Sequence, residues 1–239
     1  MQWLVVNRTD PGSGLLKRAH TTDWGDVKIE RDGAPTDLLP GDALAISIYD
    51  QALAYQALTQ LAVMNAAAGD VANGAHYRAA ARDLQSAVEK FLWVPNPGYY
   101  KTHVHITPLP HPFDEDKIVS IANAHAVYTG LTDKIGPLDR LAEAMRAMGA
   151  GKPGLSLYPP YPSGTFSYAQ MAEGQYQNGG QWDWWGGLQI TAEFERGLRL
   201  RALEHLKAVA SDWAKHPRDI YEWQMARAQE NRGANYYGG

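Results

Sequence analysis

Two carboxylate-bearing segments lie near opposite ends of the sequence, each set among large aromatic side chains. The first is Asp23-Trp24-Gly25-Asp26, an acid pair around a Trp ring, with a glycine that permits a tight backbone. The second is Ile220-Tyr221-Glu222-Trp223, a lone carboxylate between two aromatics expected to desolvate it partly and raise its pKa. Cleaving a glycosidic bond needs two such groups flanking it, one protonated and one ionised. Most of the chain separates these two, so only the fold can pair them. Taken alone, an Asp pair ahead of a helix also serves as a cap or turn.

A third segment runs Tyr176-Gln177-Asn178-Gly179-Gly180-Gln181-Trp182-Asp183-Trp184-Trp185-Gly186-Gly187. Two Gly pairs bracket three Trp and one Asp, and Gly179-Gly180 would let the backbone approach a ligand closely. The competing reading is a Gly-rich turn with Asp183 capping a helix. The whole chain has eight Trp and thirteen Tyr against four Phe, a bias toward rings that are apolar on the face and polar at the edge. Such rings suit stacking on sugar faces with hydrogen bonding at the rim. Trp24, Trp182, Trp184, Trp185 and Trp223 fall in Gly-, Asp- and Asn-rich stretches and read as ligand-facing, whereas Trp3, Trp93 and Trp213 read as packing residues.

Histidines are the other candidates. His20, just ahead of the first acid segment, is placed to hydrogen-bond a sugar hydroxyl or to cap the loop. His103 and His105 alternate on a strand-like run and His111 follows, but no acidic or third His spacing matches them, so no metal is expected. Asp114-Glu115-Asp116 reads as the acidic start of a helix. With no Gly-x-Gly-x-x-Gly or P-loop pattern, no nucleotide or other cofactor is expected.

Composition narrows the classes further. A net charge of -4 gives no basic field for nucleic acid and no polybasic anchor for a membrane. The absence of cysteine excludes disulfides and thiolate metal sites. No apolar run of transmembrane length and no signal-peptide pattern at Met1–Val6 are visible, so a soluble, cytoplasmic protein is expected.

The elements that must position these residues are helical. Residues 1–40, with Pro11-Gly12, Gly33-Ala34-Pro35 and Pro40-Gly41, read as a long loop region. A helix apolar most of the way round spans about 42–68 and reads as interior; its neighbour at about 71–93 has one apolar stripe and reads as an outer helix. Pro95-Asn96-Pro97-Gly98 marks a turn, and 102–107 a short strand. The inner/outer pairing repeats at 118–130 with 138–148 and at 182–197 with 198–216. Residues 149–180 form a long Gly/Pro/Tyr loop, a length that is usually functional. Six helices in three consecutive hairpins describe an all-α, α-hairpin toroid with a shared rim of loops at one end. One domain over 1–239 is expected, with the three segments converging on that rim.

The Tyr176-Gln177-Asn178-Gly179-Gly180-x-Trp182 run, followed by a helix with Ala192-Glu193, resembles the late hairpin of (α/α)6-barrel glycosidases. That group includes amylo-α-1,6-glucosidase-like enzymes and glycoside hydrolase family 63. Tyr221-Glu222-Trp223, with Gly233 to Tyr236 after it, is similar to the family 63 segment that carries the catalytic base, which points to Glu222. Asp23 to Asp26 resembles the Asp-Trp-Asn-Asp of cellobiose-phosphorylase-like enzymes, where the second Asp is the general acid, which points to Asp26 with Asp23 as substitute. The resemblance implies an inverting hydrolase of α-linked gluco- or manno-configured glycosides. It implies contacts to an oligosaccharide or glycoside from Trp24, His20, Tyr176, Gln177, Asn178, Gly179, Trp182, Asp183, Trp184 and Trp223. Phosphorolysis on the same scaffold would need an anion pocket, for which Arg218, Arg227 and Arg232 are the candidates. The full family barrel has twelve helices, so this chain reads as half to two-thirds of one. A second copy of the chain or a missing N-terminal half-barrel is the expected partner; an inactive carbohydrate-binding or packing module is the rival outcome.

Overall fold

The computed structural model describes residues 2–29, 38–215, 217–218 and 221–227. The helices come as three hairpins. α2 (Ile48–Ala67) pairs with α3 (Val71–Phe91), α4 (Ala122–Tyr128) with α5 (Gly136–Met148), and α6 (Asp183–Glu195) with α7 (Arg199–Lys215). α4 packs against both α2 and α6, so these three form the inner row and their partners the outer one. This is the α-hairpin toroid arrangement, present here as three consecutive hairpins.

Local chemistry explains the boundaries. Ser47, in extended conformation, caps α2 by accepting from the Asp50 amide at 3.4 Å, and Gly69 at φ +85° ends the turn after it. Asp70 then caps α3 through the Asn73 amide at 3.1 Å. Pro137 in the first turn and left-handed Gly149 bound α5. α4 is buried on every side from Ala122 to Val127, and its small side chains admit neighbours on both flanks. Gly74 of α3 lets the hairpin close tightly, since a Cβ there would stand 3.1 Å from Ala62 O.

Two expectations are corrected. The first 40 residues are not all loop: α1 (Gln2–Arg8) and β1 (Arg18–Ala19) lie within them. The helix expected from 42 is preceded by a strand, β2 (Leu44–Ser47), which pairs with β1 and with β5 (His103–His105) in an antiparallel three-stranded sheet. Two further short ladders brace the loops: β3 (Trp93–Val94) with β4 (Tyr99–Tyr100), and β6 (Val119–Ser120) with β7 (Leu157–Tyr158).

The largest core cluster joins Ile121, just ahead of α4, and Ala124 and Val127 of α4 to Leu138, Leu141, Trp182, Trp185, Ala192 and Trp223. Trp185 is wholly buried. Hiding its ~200 Å² stabilises by roughly 5 kcal/mol on area alone. Trp3 and Trp213, read as packing residues, are instead 63% and 53% exposed. Leu53, Val63 and Met64 of α2 and Leu200, Leu203 and Leu206 of α7 are exposed too, so apolar surface remains uncovered on the first and last of these hairpins. Among the described residues no helix is long and apolar enough to cross a membrane.

Candidate functional site

Asp23 and Asp26 have opposite fates. Asp23 has a left-handed backbone, φ +78°, and is fully buried. Its Oδ1 accepts from Ser47 Oγ at 2.7 Å and from the Tyr49 amide at 3.2 Å, and its Oδ2 accepts from Ser120 Oγ. Burial pushes its pKa up to about 6 against the opposing pull of the two serines. Asp23 therefore ties the loop to the α2 N-terminus and to β6, and no atom of it is open to a substrate. This burial gives Asp23 a scaffold role in place of the one expected of it as substitute acid.

Asp26, three residues on, is exposed and is oriented by Gln177 Nε2, which donates to its Oδ1 at 2.6 Å. Gly25 makes that contact feasible: a Cβ there would lie 2.3 Å from Gln177 Oε1 and 2.6 Å from Thr22 Oγ1. Arg18 donates to Gly25 O at 2.5 Å and holds the turn from the β1 side. Asp26 and Trp24 line a cleft of about 510 Å³ whose other walls include Tyr49, Arg18, Leu53 and Trp3.

Trp24 is the hub of the aromatic cluster. Its ring meets Trp182, Trp185 and Trp184 edge-on at 4.8, 5.6 and 5.8 Å. Trp184 stacks on Trp185 at 4.1 Å and is 47% exposed, which leaves it a free face beside the acid segment. From Trp182 the ring contacts continue to Tyr176 at 5.1 Å and from Tyr176 to Trp223 at 5.9 Å. The late segment is also tied by backbone: Gln181 and Gln224 exchange hydrogen bonds at 2.8 and 2.9 Å. Glu222 is half-buried, and its Oε2 is buried with no hydrogen-bond partner among the described residues. All three segments singled out in the sequence therefore meet.

Several residues expected to touch substrate serve the scaffold instead. Asn178 is fully buried and braces Tyr161 and Met171 through their backbones. Gly179 and Gly180 serve the chain's own close approach, since a Cβ at Gly180 would lie 2.3 Å from Tyr176 O. Trp182 is buried and donates to Tyr176 O at 2.9 Å. Trp182, not Asp183, holds the cap position of α6, and Asp183 faces α7, where it binds buried Lys152 and accepts from Trp213 Nε1 at 2.7 Å. His20 is fully buried against Glu115 at 2.6 Å and is out of reach of the cleft. Of the anion-pocket candidates, Arg227 donates to Met148 O at 3.1 Å, and Arg218 is exposed. Arg232 and the Gly233 to Tyr236 stretch lie outside the described residues.

Sequence reasoning missed two polar clusters. Glu193 is fully buried, paired with His205 at 2.8 Å and Arg201 at 3.3 Å. Glu115, read as a helix start, is buried with its carboxylate facing four histidines; that cluster is the one group of candidate metal ligands among the described residues. Burial alone would raise the Glu115 pKa, but hydrogen bonds from His103, His105 and His20 outweigh it and hold it well below the usual carboxylate range. The missing signal was distance along the chain: Glu115 sits 95 residues from His20.

No protein-family model and no curated protein matches the chain. Solved structures do. A family 63 mannosylglycerate hydrolase from Thermus thermophilus, bound to glucose, superposes with a TM-score of 0.61 at 13% identity, over 80% of this chain and 42% of its own. A protein described as a sialidase gives 0.69 at 14% identity, over 95% of this chain and 20% of its own. Neutral trehalase from Saccharomyces cerevisiae gives 0.55 at 14% identity, over 79% and 35%. At these identities the likeness is one of fold: the chain shares the α-hairpin toroid architecture of these proteins and spans less than half the length of each of them.

Proposed function

We propose that the cleft beside Asp26 is part of a glycosidase site for α-linked gluco- or manno-configured substrates. Asp26 acts as the general acid and Glu222 as the base that activates water on the opposite face. One observation carries this reading: the three segments remote in sequence are joined, since Gln177 bonds Asp26, Trp24 meets Trp184, and Tyr176 and Gln181 meet Trp223 and Gln224 beside Glu222. Trp184 supplies an open face for a sugar ring. Trp24 Nε1, Gln177 Oε1 and Glu222 Oε2 are buried polar atoms without partners among the described residues, a donor and two acceptors suited to hydroxyl groups. Inversion requires the carboxyl groups roughly 6.5–9.5 Å apart and a product of opposite anomeric configuration.

The test is sugar release from a panel of α-glucosides and α-mannosides, with NMR of the first-formed anomer. Turnover with inverted product, lost in Asp26→Asn, supports the assignment; retained configuration overturns it. The short span relative to the similar structures and the exposed apolar residues of α2 and α7 favour a second reading, a binding module without turnover. Saturable sugar binding without release from any substrate would select it. In either case the 1–239 chain acts as one partial-barrel domain.

A further inference from the structure

The Glu115 cluster is remote in role from the cleft and has its own chemistry. The carboxylate belongs to a short 3-10 turn, Glu115–Lys117. Its Oε1 faces His20 Nε2 at 2.6 Å and His111 Nε2 at 2.7 Å; its Oε2 faces His105 Nε2 at 2.7 Å and His103 Nδ1 at 3.0 Å. His103 and His105 lie on one face of β5, because alternate strand residues share a side. His20 follows β1 of the same sheet, and its amide bonds Ala43 O at 2.8 Å. One ligand atom from each of His20, His103, His105 and Glu115 falls within 4.8 Å of all the others.

We infer that His20, His103, His105 and Glu115 bind a divalent transition-metal ion, zinc, as a closed structural site. Imidazole nitrogens with one carboxylate are the donor set of zinc, and a four-coordinate zinc holds its ligand atoms about 3.4 Å apart. Enclosing it needs the Glu115 contacts to open by less than about 1 Å and the wider ligand pairs, up to 4.8 Å apart, to close by up to about 1.4 Å. Burial is the second observation. His20 and His103 are 0% and 3% exposed, and their far-side nitrogens, like His105 Nδ1, have no hydrogen-bond partner among the described residues, so each ring is held in the cluster only through the nitrogen that faces Glu115. Four imidazoles packed among Tyr161, Phe166 and Phe113, with His105 partly exposed, are costly to keep for hydrogen bonds to one carboxylate. A metal offsets that cost and needs no water position, which fits a structural site. The ion would join β1, β5 and the 115–117 turn just ahead of Asp23-Trp24-Gly25-Asp26, and so set the position of the acid segment.

The test uses untagged protein from zinc-replete medium. One equivalent of zinc per chain by elemental analysis is expected. Stripping with a chelator should lower the melting temperature, and zinc at a hundredfold above its Kd should restore about 5–10 °C. Cobalt added to stripped protein should give the intense visible bands of a four-coordinate ion, which surface binding does not. Glu115→Gln and His103→Ala should each lose stoichiometric metal; the cobalt spectrum of the unmodified chain decides the matter if either variant fails to fold. Metal-free protein whose melting temperature is unmoved by zinc, or a six-coordinate cobalt spectrum, would overturn the site and leave a hydrogen-bonded knot around Glu115.

Discussion

Asp23→Asn separates the scaffold aspartate from the one proposed as general acid, because its effect is on stability and has a characteristic pH dependence. The folded-state pKa is about 6 against an ordinary 3.8, with burial as the cause. A raised carboxyl pKa means that the folded state keeps its proton where the unfolded chain has lost it. The stabilisation is fully present below pH 3.8 and is lost as pH rises through 6. At 1.36 kcal/mol per pKa unit the total is ~3 kcal/mol, and about 2 kcal/mol of it falls between pH 4.5 and 7.5. Other groups titrate in this range, so the quantity to follow is the difference in urea-unfolding free energy between the natural chain and the Asn variant. Asn has one acceptor oxygen where Asp23 uses two, so the variant loses a serine contact and is destabilised at every pH. Its deficit should nevertheless shrink by about 2 kcal/mol from pH 4.5 to 7.5. Parallel pH profiles for the two proteins would refute the burial argument for Asp23.

Other substitutions probe the remaining contacts. Gly25→Ala forces a Cβ into Gln177 and Thr22, and should cost about 1–3 kcal/mol in chemical denaturation. The displaced Gln177 should also lower turnover. Trp184→Ala removes a half-exposed ring; its unfolding midpoint should barely change while sugar affinity in calorimetry falls roughly tenfold. Lys152→Met removes the buried ammonium that Asp183 and Asp212 share, and should cost about 3–5 kcal/mol in thermal or urea unfolding.

The helical hairpins were legible because each carries its own local signal. The apolar wrap of α2 and the single stripe of α3 are both properties of neighbouring residues. β2 was not, since Leu44–Ser47 becomes a strand only by pairing with Arg18–Ala19 and His103–His105. The site divides in the same way. Asp26 lines the cleft, with Gln177 bonded to it and Trp184 half exposed near Trp24. Asp23, Asn178, Asp183 and His20 have similar credentials in sequence, but partners 17 to 97 residues away draw them into the scaffold. Gly179-Gly180 shows the ambiguity of a glycine pair: the need for close approach was real, but the approaching group is the chain itself.

Glu222→Gln checks the role proposed for Glu222 as the base. The substitution keeps the shape of the side chain and removes its capacity to take a proton. On any α-glycoside the natural chain cleaves, kcat should fall by at least about 100-fold while the circular dichroism spectrum and melting temperature stay close to those of the natural chain. Equal turnover by the two proteins would contradict the account.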